Sequence, residues 1–406
     1  MSEGIIASFI PELGDEKKGK VRDIYTFQNK LIMIASDRIS AFDVVSSDPI
    51  LDKGRTLTQI SLFWFEKTKD IIENHLIFSP DPNVMVVKKC KAIPIEIIVR
   101  KYVSGSLWRD YKAGKKEKCG LHLPKELREN QELEHPIITP TTKAEDGHDE
   151  DISKLEILNR KIISEEIFQK IERTSLALFD RGQEILDKCN MILVDTKYEF
   201  GLDENDNLLL IDELHTPDSS RFWFKEDFHE KKYEHQSKEF VRQYLIESGF
   251  KIGQKNFALP EDIKEKTREK YLKIFQSITK EKIRQETLSP KERILQRLID
   301  AKLIRGYFVL VCVDENVSDK IIGSTLSDYQ IPHKIIKIGF EEQVLKDVVF
   351  KYNNSIEPMV YIFHSENFSS LKTVESFCNW PAIFTQLIDP KSAVMAAIRK
   401  LKNFVR

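Results

Sequence analysis

Residues 192–216 read ILVDTKYEFGLDENDNLLLIDELHT, and this stretch decides the class of fold. Two apolar runs flank Asp203-Glu204-Asn205-Asp206-Asn207, a turn-forming string, so the pattern predicts an antiparallel hairpin. The hairpin carries Asp195, Glu199, Asp212 and Glu213 among apolar neighbours. A carboxylate in such a setting needs a partner. Either a cation of the chain, such as Lys197 or Arg221, or a magnesium ion bound to a nucleotide would serve.

Working outward, a long helix is expected over about 164–188, with Ser164 as its N-cap. Residues 113–150 are polar and read as loop. Before them, VMVVKK (84–89) and IEIIVRKYV (95–103) read as β-rich strands. A helix is predicted over about 55–73, where Leu57, Ile60, Trp64 and Ile71 or Ile72 share a face. KVRDIYTF (20–27) and KLIMIASD (30–37) read as strands around Gln28-Asn29-Lys30. Downstream, EFVRQYLIESG (239–249) reads as a helix stopped by Gly249. Two charged helices are expected over 261–304, the second opened by the capping box Ser289-Pro290-Lys291-Glu292. From Tyr307 a new alternation starts: strands FVLVCVD (308–314), HKIIKIG (333–339) and MVYIFHS (359–365), separated by helical stretches, and a last helix after Asp389-Pro390. That order suggests a small α/β domain with a parallel sheet. The expected domains are a β-rich nucleotide-binding lobe (1–95), a second α/β lobe with the substrate and magnesium site (96–255), a helical linker (256–305) and the small α/β domain (306–406).

With 63 Lys and Arg against 65 Asp and Glu, no overall field favours nucleic acid or an anionic membrane. No stretch approaches the length of an apolar membrane span, and MSEGIIASFIPELGDEKKGK lacks the basic-then-apolar pattern of a signal peptide. The five cysteines are scattered with no CxxC spacing, which argues against a disulfide framework or zinc site. A cytoplasmic protein is expected.

Four further segments carry chemistry. Gly14–Asp23 (GDEKKGKVRD) offers glycine and lysines to an anion, although it lacks P-loop spacing, and alone it reads better as a solvated basic turn. Ser36-Asp37-Arg38-Ile39-Ser40-Ala41-Phe42-Asp43 follows a strand and either faces a ligand crevice or forms an internal ion pair. Arg100 with Ser104, Gly105 and Ser106 is either a phosphate cradle or an ordinary strand end. Thr216-Pro217-Asp218-Ser219-Ser220-Arg221 brings hydroxyls and an arginine into a turn. His148, in Asp146-Gly147-His148-Asp149-Glu150, reads as loop polarity.

Taken together, GKVRDIY, ASDRISAFD, KGRTLTQISLFWF, IVRKYVSGS, TPTTKAEDGHDEDIS, LVDTKYEFG and LIDELHTPDSSRFW resemble the SAICAR synthetase family over about residues 15–250. The resemblance implies an α+β fold of two lobes, β-rich and then α/β, with the small α/β domain appended. It implies an ATP-dependent, magnesium-dependent ligase of purine synthesis. Such a ligase joins L-aspartate to the carboxylated imidazole ribotide CAIR, giving SAICAR, ADP and phosphate. By the same resemblance Lys18, Lys20 and Arg22 would hold ATP phosphates, with Glu199 also on the nucleotide, and Glu199 and Asp212 would hold magnesium. Asp43, Arg100, Ser106 and Arg221 would bind CAIR, while Lys143, Asp212 and Arg221 would act at the reacting groups. Asp37, Arg38 and Ser40 are the candidates for aspartate. Before Phe-Val-Arg the family often carries Asp-Lys-Gln, whereas this chain has Ser237-Lys238-Glu239.

Residues 307–406 are faintly similar to an aminoimidazole ribonucleotide carboxylase. Where that enzyme has its two anion-binding loops, this chain has Asp314–Asp319 and Ile338–Glu341, and Gly323–Asp328 falls inside a crossover. The expectation is a tail without carboxylase activity that supports a homo-oligomer. A bifunctional enzyme and a nucleotide-binding scaffold are the competing readings, and the scaffold would be expected to have lost Lys20, Glu199 or Asp212, which are all present.

Overall fold

The computed structural model describes residues 4–304, apart from 9, 11, 12, 43, 144–149, 234, 235, 237, 251–253 and 255, and beyond them four strands. Strands β1 (Glu16–Lys18), β2 (Arg22–Phe27) and β3 (Lys30–Ala35) form a meander, with Gln28 at φ 56° in the expected turn. A short hairpin, β4 (Ser40–Ala41) and β5 (Val44–Val45), precedes helix α1 (Lys53–Thr68). Strands β6 (Leu76–Asp81) and β7 (Val84–Lys88) complete an antiparallel sheet of order β1-β2-β3-β7-β6. Helix α1 starts earlier than its periodicity predicts because the Gly54 N–H donates to Asp37 Oδ1 at 2.9 Å. It also stops before Ile71, whose N–H closes a turn onto the Thr68 carbonyl at 2.9 Å.

The second sheet is also antiparallel. It begins with β8 (Lys91–Tyr102), followed by α2 (Gly105–Lys112) and the hairpin β9 (Glu117–Lys118) and β10 (Leu121–His122). Next come β11 (Glu132–Thr142), α3 (Lys154–Asn159), α4 (Glu165–Asp187), β12 (Met191–Leu202), β13 (Leu208–Ile211) and β14 (Ser220–Phe224). The order is β11-β8-β12-β13, with β14 also paired to β12. The predicted hairpin is β12 and β13, and α4 carries the predicted cap, the Ser164 hydroxyl accepting from Ile167 N–H at 3.3 Å. Strand β11 corrects the loop expected over 113–150. Pro136 and Pro140 disguise it, yet it lies at a sheet edge, where proline is tolerated, and its register with β8 shifts between Glu132 and Ile137.

Helices α5 (Lys225–His229) and α6 (Lys238–Glu247) follow, Gly249 at φ 78° ending the latter. Then come α7 (Glu261–Thr279) and α8 (Pro290–Asp300). The expected linker at 256–305 is corrected by α7, which belongs to the main body. Its Ile274, Phe275 and Ile278 are buried in one core with Trp64 of α1, Ile97 and Val99 of β8, Phe168 and Leu178 of α4 and Tyr198 of β12. Arg268 of α7 also grips Asp52, just before α1, at 2.8 and 3.0 Å. That core joins the two sheets, and the boundary expected at 95/96 falls inside β8. The chain divides instead into residues 1–291 and 292–406.

In the second unit, β15 (Val309–Val313), β16 (His333–Lys337), β17 (Met359–His364) and β18 (Ile383–Leu387) form a parallel sheet of order β16-β15-β17-β18. The parallel sheet was expected, whereas β18 was not, its five residues being too few for a clear period. The anion-binding-loop positions and the helix after Pro390 lie outside the described residues.

Candidate active site

Strand β12 is the centre of the site. Asp195 stands in register with Arg100 on β8 and with Arg221 on β14, so one carboxylate sits between two guanidiniums on three adjacent strands. Arg221 Nη1 donates to Asp195 Oδ2 at 2.5 Å, and Arg100 Nη1 lies 3.5 Å from the same oxygen. Arg100 is further fixed by Nε donating to Thr139 Oγ1 at 2.8 Å and Nη2 to Ser106 Oγ at 3.1 Å. Arg100, Ser106, Asp195 and Arg221 open onto a cavity of about 420 Å³ also lined by Lys197, Asp218, Lys238, Glu239 and Arg242. Gly105 makes the packing possible. Its φ is +56°, and a Cβ there would lie 2.3 Å from Arg221 Nη2. Only glycine adopts that backbone freely and leaves room for the guanidinium.

Counting Arg109, the lining holds six cations and four carboxylates (Glu96, Asp195, Asp218 and Glu239), so it suits an anionic ligand. Burial pushes the Glu239 carboxyl up, but Arg221 and Arg242 outweigh it and hold it at about 2. Burial draws the Lys238 ammonium down to about 8 against the pull of Asp218. Asp195, Lys238 and Glu239 escaped selection as site residues in the sequence; the ladder register that joins Asp195 to two arginines is the missing signal.

A second cluster adjoins the first through Lys197, whose Nζ donates to Glu96 at 2.6 Å and pairs with Glu199. Lys143 pairs with the other oxygen of Glu199. Burial acts to raise the Glu199 carboxyl, yet Lys197 and Lys143 keep it below the usual range. Glu199 is the ladder partner of Ile211, which places Asp212 next along the adjoining strand. Asp212 adopts φ 66°, and Arg22 ties down this corner, donating to Asp212 at 2.7 Å and to Glu213 at 2.5 Å. Cations of the chain thus pair with the hairpin carboxylates: Lys197 with Glu199, as weighed from the sequence, whereas Arg22 holds Asp212 and Arg221 turns to Asp195.

Among the described residues no group of three or more His, Cys, Asp or Glu side chains could hold a metal by itself. Two neighbouring carboxylates nonetheless fit magnesium, which commonly takes one or two carboxylates and completes its shell with water and phosphate oxygens.

The remaining predicted residues divide. Lys18 and Lys20 are exposed at the hairpin turn between β1 and β2. Asp37, Arg38 and Ser40, the candidates for aspartate, are buried, and none lines this cavity. Asp37 accepts from the N–H groups of Ile5 at 2.8 Å and Gly54 at 2.9 Å. Arg38 donates to Asp23 at 2.7 Å and to the carbonyls of Gly19 and Lys20 at 3.0 and 3.1 Å, which braces the turn carrying the two lysines. Asp43 and His148 lie outside the described residues.

A family model for SAICAR synthetase matches residues 16–257. The chain belongs to the SAICAR synthetase family. It is an ATP-dependent ligase forming SAICAR in purine biosynthesis. The phosphoribosylaminoimidazole-succinocarboxamide synthase of Cytophaga hutchinsonii is 45% identical over 292 residues, covering 70% of this chain and 94% of that protein. Among solved structures, the SAICAR synthase of Saccharomyces cerevisiae in complex with SAICAR is similar at 31% identity and a TM-score of 0.61, covering 69% of this chain and all of that one. A type-2 SAICAR synthetase in complex with ADP is similar at 28% identity and a TM-score of 0.53, covering 67% of this chain and all of that one. The family match stops at residue 257, before α7 and the parallel sheet.

Proposed function

We propose that the cavity walled by β8, β12 and β14 binds CAIR, with Arg100, Ser106 and Arg221 on the ribotide phosphate. The observation that carries this reading is the ladder register that holds Arg100 and Arg221 on either side of Asp195. A bidentate guanidinium suits a phosphate, and two of them fixed to strands lose little freedom on binding. Asp43 remains a proposed CAIR contact. Lys18 and Lys20, with their turn braced by Arg38, take the ATP phosphates. Arg22 serves the nucleotide indirectly by holding Asp212 and Glu213.

Glu199 and Asp212 are the proposed magnesium ligands. Bound there, the ion would offset the negative charge of the nucleotide phosphates. In the reaction we propose, a carboxylate oxygen of CAIR attacks the γ-phosphorus of ATP, and the bond to the bridging oxygen breaks to release ADP. The aspartate amine then attacks the acyl carbon, the carbon–oxygen bond to phosphate breaks, and the nitrogen gives up a proton. Negative charge crowds together at each stage, so Lys143 and Lys197 have an electrostatic task, beside the carboxylate that reacts. Asp37 and Arg38 are engaged with backbone groups and an internal ion pair, which favours aspartate contacts elsewhere.

We further propose a cytoplasmic setting, supported by the scattered cysteines. The domain of residues 306–406 serves homo-oligomerisation without carboxylase activity, a reading supported by the departures at both loop positions. ADP release from ATP, CAIR and aspartate with magnesium is the decisive assay. Turnover that persists unchanged when aspartate is omitted would reject the ligase reading. Carboxylation of aminoimidazole ribonucleotide by the full chain would reject the silent tail.

A further inference from the structure

Arg221 is neutralised from two sides. Asp195 occupies its Nη1, and Glu239, from the first turn of α6, accepts from Nη2 at 3.0 Å. The same Glu239 oxygen accepts from Arg242 Nη1 at 3.1 Å, and its other oxygen lies 3.8 Å from Arg109 Nη1. No other ion pair of Arg109 or Arg242 occurs among the described residues. One carboxylate therefore occupies three guanidiniums that line the cavity. The fold does not require a charge there: a glutamine has the same length and would keep an acceptor oxygen for Arg221 and Arg242.

We propose that Glu239 is a resident counter-anion that sets the affinity and selectivity of the cavity for its phosphorylated substrate. A free anion entering the subsite of Arg109, Arg221 and Arg242 must share these donors with Glu239. Simple anions make too few other contacts to compete well, whereas a phosphorylated nucleotide held elsewhere in the cavity does. The carboxylate thus lowers affinity for all anions and penalises small ones most. This inference rests on reading the cavity as the CAIR site.

The test uses the full-length protein and inorganic phosphate, followed by calorimetry in the absence of ATP. Glu239→Gln should bind phosphate about tenfold more tightly, equivalent to about 1.4 kcal/mol. It should also lower KM for CAIR and steepen the dependence of that KM on salt. Unchanged or weaker phosphate binding by a folded Glu239→Gln would overturn the proposal. If that variant does not fold, Glu239→Asp, which keeps the charge but withdraws it from the arginines, should give an intermediate gain; no gain overturns the proposal equally. Arg221→Gln separates the two levels. Phosphate binding unaffected by Arg221→Gln would refute the site reading itself, whereas binding lost there but not gained in Glu239→Gln refutes only the counter-anion.

Discussion

Lys53 and Asp218, 165 residues apart, form an ion pair at 2.7 Å in which neither side chain has appreciable contact with water. Tyr271 of α7 donates to the second carboxylate oxygen at 2.6 Å. Burial raises the Asp218 carboxyl, but Lys53 outweighs it and holds the group at about 2. Breaking such a pair from one side strands a charge. Lys53→Met should cost about 3–5 kcal/mol, read as a fall in the urea midpoint without a change in slope. A loss below about 1 kcal/mol would show that water reaches Asp218 in the variant.

Helix α7 predicts where the chain can be cut. Residues 1–255 lack Ile274, Phe275 and Ile278, the Arg268–Asp52 pair and the Tyr271 hydroxyl, so they should not give a cooperative unfolding transition. Residues 1–291 should. Circular dichroism melts of both fragments check this, and a cooperative melt from 1–255 would contradict the assignment of α7 to the core.

Gly105→Ala tests the arginine cradle. The added methyl meets the Arg221 guanidinium, and the left-handed backbone disfavours alanine. Displacement by about 1 Å should lower kcat/KM for CAIR about a hundredfold. The binding of ATP to Lys18 and Lys20 should change far less, and an equal loss in both would point to general unfolding.

Asp212→Asn preserves shape and tolerates φ 66°, because asparagine accepts the left-handed region. It removes one oxygen's charge from the proposed magnesium site and from Arg22. Turnover should vanish while the melting temperature falls by only a few degrees. Collapse of the fold would give Asp212 a structural task instead.

Acid should destabilise the protein through its buried histidines. Burial draws His75 down to about 4 and His215 to about 3, whereas in the unfolded chain both titrate near 6.5. Below pH 6.5 the unfolded chain takes up protons that the folded chain refuses, and each histidine removes about 1.4 kcal/mol per pH unit until its folded value is reached. Asp37 acts oppositely. Burial lifts it to about 6, so as pH falls from there the folded chain binds the proton first and regains about 1.4 kcal/mol per unit. Burial also raises the Glu213 carboxyl, which opposes the loss in the same way, so urea unfolding at pH 7, 6, 5 and 4 should show its steepest fall between pH 7 and 6 and a shallower one below. A flat profile over that range would contradict two neutral buried imidazoles.

The elements marked by local signals were legible in the sequence: the β12–β13 hairpin by its polar turn, α4 by Ser164, the end of α6 by Gly249. Strand β11 was not, since two prolines and its polar residues mimic a loop, and only pairing with β8 shows that it borders the sheet. Helix α7 was misjudged because its charged face dominates the reading, while the buried stripe of Ile274, Phe275 and Ile278 acquires meaning only against α1. At the site, Arg100, Ser106 and Arg221 could be picked out, and the structure places them around one cavity. Arg38 and Asp37 stand out in the sequence, but polar residues at a strand end look alike whether they face a substrate or a backbone. Asp195 and Glu239 belong to relationships between distant segments, which no local pattern encodes.

The packing of α7 against α1 has a consequence during synthesis. The first residue of α7 lies 193 positions after the last of α1, and at about 5–20 residues per second the partner of α1 emerges on the order of ten to forty seconds after it. Through that interval Ile60 and Trp64, buried in the finished core, lack their final cover. Until α7 arrives, this apolar surface stays open to solvent on the nascent chain, the kind of exposure that favours aggregation and that chaperones cover.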